Sequence, residues 1–171
     1  MSNTDLLKGK RVLVVDDEPD VLDTVAELLD MCQVTKAGTF EEARGLLGVG
    51  RFDIVVLDIM GVDGYSLLKL CTRLGIPAVM LTAHAFTPDN LMRSVEEGAM
   101  SYIPKEELPR LAQFLNDVLK ARQEGRNPWD DWQDQLSTSY FERRWGAALK
   151  NRGPEFWDRF RAGIAARKTD K

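Results

Sequence analysis

Short apolar runs alternate with helical patterns along the first 125 residues, and this alternation constrains the fold more than any other feature. The runs that predict strands are VLVV, QVTKA, DIVVLD, IPAVMLT and MSYIPK. Between them, apolar residues recur at helical spacing, as Leu67, Leu68 and Cys71 do after the third run. Such alternation is typical of a parallel sheet with helices on both faces. The sequence therefore predicts an α/β fold of five β–α units.

The last 46 residues differ from the rest in charge and in aromatic content. Residues 1–125 carry 20 acidic and 13 basic side chains, a net charge of −7, whereas residues 126–171 carry 7 and 10, a net charge of +3. All four tryptophans lie in the second region. At the boundary, Asn127 can cap a helix that begins at Pro128. We predict an α/β domain over 1–125 and a small helical extension of short helices, without strands, over 126–171.

Composition narrows the classes of protein to consider. Apolar runs are too short to span a membrane, and the N-terminus lacks the order of a signal peptide, so we expect a cytoplasmic protein without membrane contact. Cys32 and Cys71 fall within predicted amphipathic helices and form no CxxC motif, as expected of small core residues in a reducing compartment. His84 is the only histidine, which argues against a histidine-rich metal site or a catalytic triad.

Polar residues follow four of the five predicted strands. Asp16 and Asp17 follow the first, Asp58 the third, Thr82 the fourth and Lys105 the fifth. In open parallel sheets, ligands bind outside the carboxyl ends of the strands, so these residues are expected to form one site. Taken singly, each has an ordinary alternative as a helix cap, a turn residue or a surface lysine. The regular order in which these residues follow successive predicted strands favours a single functional site.

The residue types of this set indicate phosphoryl chemistry. Three neighbouring carboxylates repel one another, which raises their pKa values, and a divalent cation removes the conflict. Oxygen ligands without histidine or cysteine suit Mg²⁺. A lysine and a threonine hydroxyl suit a phosphoryl group, and one carboxylate could form an aspartyl phosphate. Asp58 is the best candidate, because it follows the central one of the three strands.

Residues 9–123 resemble the receiver domain of two-component response regulators. The segments VLVVDDEPD, DIVVLDIM, VMLTAHA and GAMSYIPK carry the resemblance. It implies a flavodoxin-like, doubly wound (βα)5 sheet with strand order 2-1-3-4-5. It also implies that Asp58 accepts a phosphoryl group from a sensor histidine kinase. The chain would then be a signalling phosphoacceptor, with no enzyme activity beyond its own phosphorylation and dephosphorylation.

The resemblance also implies roles for single residues. The implied Mg²⁺ ligands are Asp16, Asp17, Asp58 and the backbone carbonyl of Met60. Thr82 and Lys105 would meet the phosphoryl oxygens, and Tyr102 would turn inward when Thr82 moves. Met60 and His84 would tune dephosphorylation. Ordinary half-buried packing remains an alternative for Tyr102, and a solvated loop position remains one for His84.

Two segments depart from the family pattern. The loop after Asp58, DIMGVDG, lacks the proline of the common D-x-x-M-P-x-x-D-G and is shorter by about two residues. We therefore expect the geometry of the metal site and of the kinase-docking surface to differ there. Glu106 follows Lys105 where a proline is common, so no cis peptide bond is expected at that position.

The resemblance does not cover the extension. One helical stripe in it contains Trp129, Trp132, Leu136 and Tyr140, which favours packing. We expect the extension to pack on the receiver or to form a dimer or partner interface, so that phosphorylation switches protein contacts. A degenerate receiver that takes no phosphate is a further interpretation, against which the retained site residues count.

A DNA-binding transcription regulator with a minimal C-terminal tail is the alternative. The basic residues that could face phosphates are Arg143, Arg144, Lys150 and Arg152. Yet 46 residues are too few for a winged helix, and seven acidic residues interleave with the basic ones. DNA binding is therefore disfavoured.

Overall fold

The computed structural model describes residues 5–83, 87–135, 155–156 and 158–166. Within them, strands and helices alternate as the sequence predicts. The strands are β1 Arg11–Val15, β2 Gln33–Ala37, β3 Ile54–Asp58, β4 Ala78–Thr82 and β5 Tyr102–Pro104. The α-helices are α1 Pro19–Leu28, α2 Phe40–Val49, α3 Gly64–Leu74, α4 Pro88–Glu96, α5 Leu111–Glu124 and α6 Pro128–Gln135. Short 3-10 helices span Asp5–Leu7 and Lys105–Arg110.

The strands of the described residues form one parallel sheet in the order β2-β1-β3-β4-β5. Every residue of β3 and β4 is buried, as are the last four of β1. Helices cover both faces of such a sheet, which is why these strands are continuous apolar runs. The predicted fold class and strand order are confirmed. Asp58 ends β3, so the central buried strand carries a carboxylate to the sheet edge.

Local signals explain most helix starts. Pro19 and Pro88 occupy the first positions of α1 and α4, where a missing N–H costs nothing. The Thr39 hydroxyl accepts a hydrogen bond from the backbone N–H of Glu42 at 3.1 Å and caps α2. The Glu42 carboxylate accepts from the N–H of Gly38 at 2.6 Å. The spacing of Thr39 and Glu42 in the sequence predicts a capping box, and the structure closes it at Gly38, one residue before the cap Thr39.

Two sequence predictions about helices were wrong in detail. Cys32 lies in the turn after α1, not in a helix, and its thiol donates to the carbonyl of Leu7 at 3.3 Å. Leu108 continues the helical spacing of Leu111 and Phe114, which predicts that all three lie in one helix, but the α-helix begins only at Leu111. Pro109 lies within the 3-10 helix Lys105–Arg110, and because proline cannot donate a hydrogen bond in an α-helix interior, the α-helix begins only after it.

The described part of the extension is helical. Asn127 caps α6 as predicted, because its side-chain oxygen accepts from the N–H of Trp129 at 3.0 Å. Residues 155–156 and 158–166 form a second helical stretch, here named the C-terminal helical segment. The stripe residues Leu136 and Tyr140 lie outside the described residues, as do the basic residues Arg143, Arg144, Lys150 and Arg152. Among the described helices, none has the length and apolar character needed to cross a membrane.

The extension packs on the α/β domain. Its buried aromatic and aliphatic residues join the main core; they are Trp129, Trp132, Phe156, Phe160 and Ile164. The indole N–H groups of Trp129 and Trp132 donate to backbone carbonyls beside and within β5. The side chain of Asn127 also donates to the carbonyl of Ile164 at 2.8 Å, which ties α6 to the C-terminal helical segment. The expected packing of the extension on the α/β domain is confirmed for its described part.

Candidate functional site

A cavity of about 200 Å³ lies at the carboxyl edge of the sheet. Its lining residues are Asp17, Glu18, Asp58, Met60, Gly61, Thr82, Ala83 and Lys105. Asp16 is fully buried beside it at the end of β1. The parallel strands end at one edge, and this brings the residues predicted from the strand ends into a single site.

Lys105 is the central cation of the site. Its ammonium nitrogen lies 2.9 Å from Oδ2 of Asp16, 3.1 Å from Oε1 of Glu18 and 3.7 Å from Oδ1 of Asp58. Burial alone would lower the pKa of Lys105, but hydrogen bonds with Asp16 and Glu18 outweigh burial and raise it. The side chain therefore stays protonated and neutralises part of the acidic charge.

Asp58 is the most perturbed acid of the site. Burial, followed by the negative charge of Asp16, raises its pKa from 3.8 to about 7; Asp17 adds to the rise and Lys105 opposes it. Burial also raises the pKa of Asp16. Without a further cation, Asp58 is therefore only partly ionised near neutral pH, which is the charge conflict expected from the sequence.

The acidic side chains fit a small hard cation. Carboxylate oxygens of Asp16, Asp17 and Glu18 all lie within 4.8 Å of one another. Oxygen donors beside a buried acid of raised pKa are the ligand chemistry that Mg²⁺ prefers. Sequence reasoning missed Glu18, although the run of three acids after β1 was a signal. The sequence alone does not show that the carboxylate of Glu18 accepts a hydrogen bond from Lys105, because Lys105 lies 87 residues further along the chain.

The short loop after Asp58 depends on two glycines. Gly61 has φ of +83°, and a Cβ there would overlap the carboxylate of Asp17. A Cβ at Gly64 would overlap the backbone carbonyl of Asp58. Close backbone approach thus closes the loop without the proline of the family pattern. It still brings Met60 to the cavity, with a side chain that is 61% exposed.

Three further residues were predicted to belong to the site, and the structure describes two of them, Thr82 and Tyr102. Thr82 ends β4, lines the cavity and is buried. Tyr102 is fully buried rather than half-buried, and its hydroxyl accepts from the N–H of Thr87 at 3.3 Å. His84 lies outside the described residues, so its role stays a prediction. The peptide bonds of the described chain are all trans, as expected after Lys105.

Known proteins are similar to this chain in sequence. Residues 12–116 match the family model described as the response regulator receiver domain. The two-component response regulator ARR10 of Arabidopsis thaliana is 36% identical over 118 residues, covering 63% of this chain and 21% of the relative. The phosphate regulon transcriptional regulatory protein PhoB of Pseudomonas aeruginosa is 33% identical over 121 residues, covering 66% of this chain and 52% of the relative.

Solved structures agree with the sequence relatives. A CheY-like response regulator receiver domain protein from Methanospirillum hungatei superposes with a TM-score of 0.63 and 28% identity, covering 68% of this chain and 98% of that chain. The chain spans 16% to 21% of the length of the plant response regulators ARR18 and ARR10. The family match ends within α5, before α6 and the C-terminal helical segment.

Proposed function

Because the chain belongs to the response regulator receiver domain family of two-component systems, we propose that it accepts a phosphoryl group on Asp58 from a sensor histidine kinase. The observation that carries the proposal is the cavity that Asp58 shares with Thr82 and Lys105. A carboxylate nucleophile, a hydroxyl and an ammonium group around one small cavity are the groups that phosphoryl transfer to a side chain requires.

The transfer is written with the phosphohistidine of the kinase as donor. A carboxylate oxygen of Asp58 forms a bond to phosphorus, the phosphorus–nitrogen bond breaks, and the imidazole leaves with the electron pair. Lys105 moves its positive charge from the acids towards the phosphoryl oxygens, and the Thr82 hydroxyl donates to one of them. The side chains of Asp16, Asp17 and Asp58, with the carbonyl of Met60, would hold Mg²⁺, which supplies positive charge that favours ionised Asp58.

Dephosphorylation returns the chain to its starting state by attack of water on the aspartyl phosphate. Met60 borders the cavity with an exposed side chain, which supports a role in controlling the approach of that water. His84, two residues after Thr82 in the sequence, is proposed to act on the same step. The chain acts on no other substrate in this proposal, so it is a signalling phosphoacceptor rather than an enzyme.

The output is proposed to be a change in protein contacts rather than DNA binding. The described part of the extension directs its aromatic residues at the receiver, which supports a packing role. The relative from Pseudomonas aeruginosa is named a transcriptional regulatory protein, so DNA binding is the alternative. Salt-dependent binding of the full chain to duplex DNA would support the alternative.

Acetyl phosphate with Mg²⁺ tests the proposed function directly. Intact mass should show the addition of one phosphoryl group to the wild type and none to Asp58→Asn. The matched control is Asp63→Asn, the same change at an exposed residue of the same loop. Asp63 has φ of 51°, a left-handed conformation that asparagine tolerates. The assignment fails if Asp58→Asn keeps the label or if the wild type never gains it.

A further inference from the structure

The extension is anchored to the outer edge of the sheet by two buried tryptophans. The indole N–H of Trp129 donates to the carbonyl of Ala99 at 3.1 Å, and that of Trp132 donates to the carbonyl of Tyr102 at 2.8 Å. Both side chains are buried, and their rings meet edge-to-face with centroids 5.2 Å apart. Since β5 is the last strand of the sheet, the indole of Trp132 occupies a β5 carbonyl that a further strand would otherwise bind.

Tyr102 connects this anchor to the loop that leaves the candidate site. Its carbonyl accepts from Trp132, and its hydroxyl accepts from the backbone N–H of Thr87. Thr87 caps α4, because its own hydroxyl accepts from the N–H of Asn90 at 3.2 Å. Thr82, which lines the cavity, lies only five residues before Thr87. One buried side chain therefore joins the end of the β4–α4 loop to the extension.

The C-terminal helical segment holds α4 at its other end. The guanidinium of Arg159 donates to both carboxylate oxygens of Glu96, at 2.7 and 3.1 Å. Gly163 packs so close to Val95 that a Cβ would lie 3.0 Å from the valine methyl carbon. The extension thus contacts both elements that follow the β4–α4 loop, namely α4 and β5.

We propose that the docked extension favours phosphoryl binding at the candidate site, with Trp132 acting as a positioning residue through Tyr102 and Thr87. The inference rests on the proposed function. In the structure, the docked extension, the buried Tyr102 and the cavity-lining Thr82 occur together. Undocking removes the donor from the Tyr102 carbonyl and the cover from β5, which gives the side chain of Tyr102 and its partner Thr87 other positions to occupy.

Docking of the extension should strengthen phosphoryl binding, because the docked extension and the cavity-lining Thr82 occur in the same structure. A phosphoryl group that is held by Thr82 binds best to the form in which Thr82 lines the cavity, and that form has the extension docked. By linkage, phosphoryl binding then strengthens docking by the same factor with which docking strengthens phosphoryl binding. The extension is therefore a support for the phosphorylated state rather than an inhibitor of it.

Beryllofluoride with Mg²⁺, as a mimic of the phosphoryl group, tests the inference on the full chain. Fluorine NMR measures its binding to the wild type, to Trp132→Phe, which lacks the indole donor, and to Tyr102→Phe, which lacks the hydroxyl at Thr87. Each variant should bind about fivefold more weakly or worse. Arg161→Gln is the control, since Arg161 is exposed on the same segment as Arg159 and pairs with Asp158.

A charge pair provides a test that leaves the core intact. Arg159→Glu places two acids opposite each other and should weaken both docking and beryllofluoride binding, whereas the double variant with Glu96→Arg should recover both. Tryptophan fluorescence follows docking, because all four tryptophans lie in the extension. Beryllofluoride should change the emission of the wild type and leave that of Asp58→Asn unchanged.

The outcomes separate the two proposals. If the wild type binds no beryllofluoride and gains no phosphoryl group, the proposed function itself fails. If the wild type binds it and the folded variants bind equally well or more tightly, the function stands and the positioning role of the extension is refuted. Weaker binding by Trp132→Phe, Tyr102→Phe and Arg159→Glu, with recovery by the charge swap, supports the inference.

Discussion

The carboxyl edge of β3 and the outer edge of β5 bury polar groups in opposite ways. At β3, Asp58 is buried beside other acids, and its pKa rises to about 7. At β5, each buried indole N–H meets a backbone carbonyl. The first arrangement leaves a conflict that a ligand can relieve, whereas the second is satisfied within the chain. The candidate functional site thus lies at the carboxyl ends of the strands, whereas the satisfied buried polar groups lie beside the edge strand β5.

The largest effect on stability is expected at the satisfied edge. Trp129→Ala removes a fully buried indole and leaves the Ala99 carbonyl without its donor. The free energy of unfolding should fall by about 3–5 kcal/mol, the usual cost of truncating a large buried aromatic residue. Urea denaturation measures it, with Val49→Ala as the control, because Val49 is 88% exposed. A loss no larger than that of the control would show that the extension adds nothing to the fold.

At the carboxyl end of β3, where buried acids repel one another, a substitution should instead raise the free energy of unfolding. Asp58→Asn removes a buried acid whose folded pKa of about 7 exceeds its ordinary value of 3.8. Folding therefore favours the protonated acid, and wild-type stability is lost as pH rises from the lower value to the higher. In metal-free buffer above about pH 7, the variant should be more stable by on the order of 2–4 kcal/mol.

Urea denaturation in chelator at acidic and neutral pH measures this difference. The gain should shrink as pH falls towards 4, where the wild-type acid is also protonated, and it should shrink when Mg²⁺ is added at neutral pH. Asp63→Asn, at an exposed position, should leave the free energy of unfolding unchanged at either pH. A wild type that is more stable than Asp58→Asn in chelator at neutral pH would contradict the charge conflict.

The two edges also differ in how far the sequence predicted them. Apolar runs alternating with helical patterns predicted the sheet, and the strand ends predicted that Asp58, Thr82 and Lys105 would meet. Both inferences use short-range pattern and the geometry of parallel strands. The stripe of Trp129 and Trp132 predicted an apolar helix face, but no local pattern specifies which backbone carbonyls the indoles reach. That pairing depends on the position of α6 after the turn at Gly125, which is a tertiary property.

The contacts made at the two glycines of the short loop could not be predicted for a similar reason. Sequence comparison with the family pattern marked the loop as short, but it could not show that Gly61 lies against Asp17 or that Gly64 lies against the Asp58 backbone. Both contacts join residues through close approach of the backbone, and a glycine in a turn has many ordinary explanations. The structure shows that these two glycines contact residues of the candidate site in addition to forming the turn.

Gly61→Ala should have the smallest effect on stability and a selective effect on the site. Its φ of +83° disfavours alanine by about 1–2 kcal/mol, and the added Cβ would displace the Asp17 carboxylate. Gly75→Ala is the matched control, since Gly75 has φ of +75° and open space around the position of a Cβ. Both variants should lose similar stability in urea, which isolates the displacement of Asp17 as the difference between them.

Phosphorylation by acetyl phosphate then distinguishes the variants. Gly61→Ala should slow it about tenfold or more, because Asp17 is a proposed Mg²⁺ ligand and loss of the groups that orient a metal ligand typically costs about 10–100-fold in affinity or activity, whereas Gly75→Ala should react like the wild type. Added Mg²⁺ should partly restore the rate of Gly61→Ala if the loss lies in cation binding. Equal rates for the two glycine variants would mean that Asp17 tolerates movement, and the short loop would then matter for the fold rather than for the proposed phosphoacceptor site.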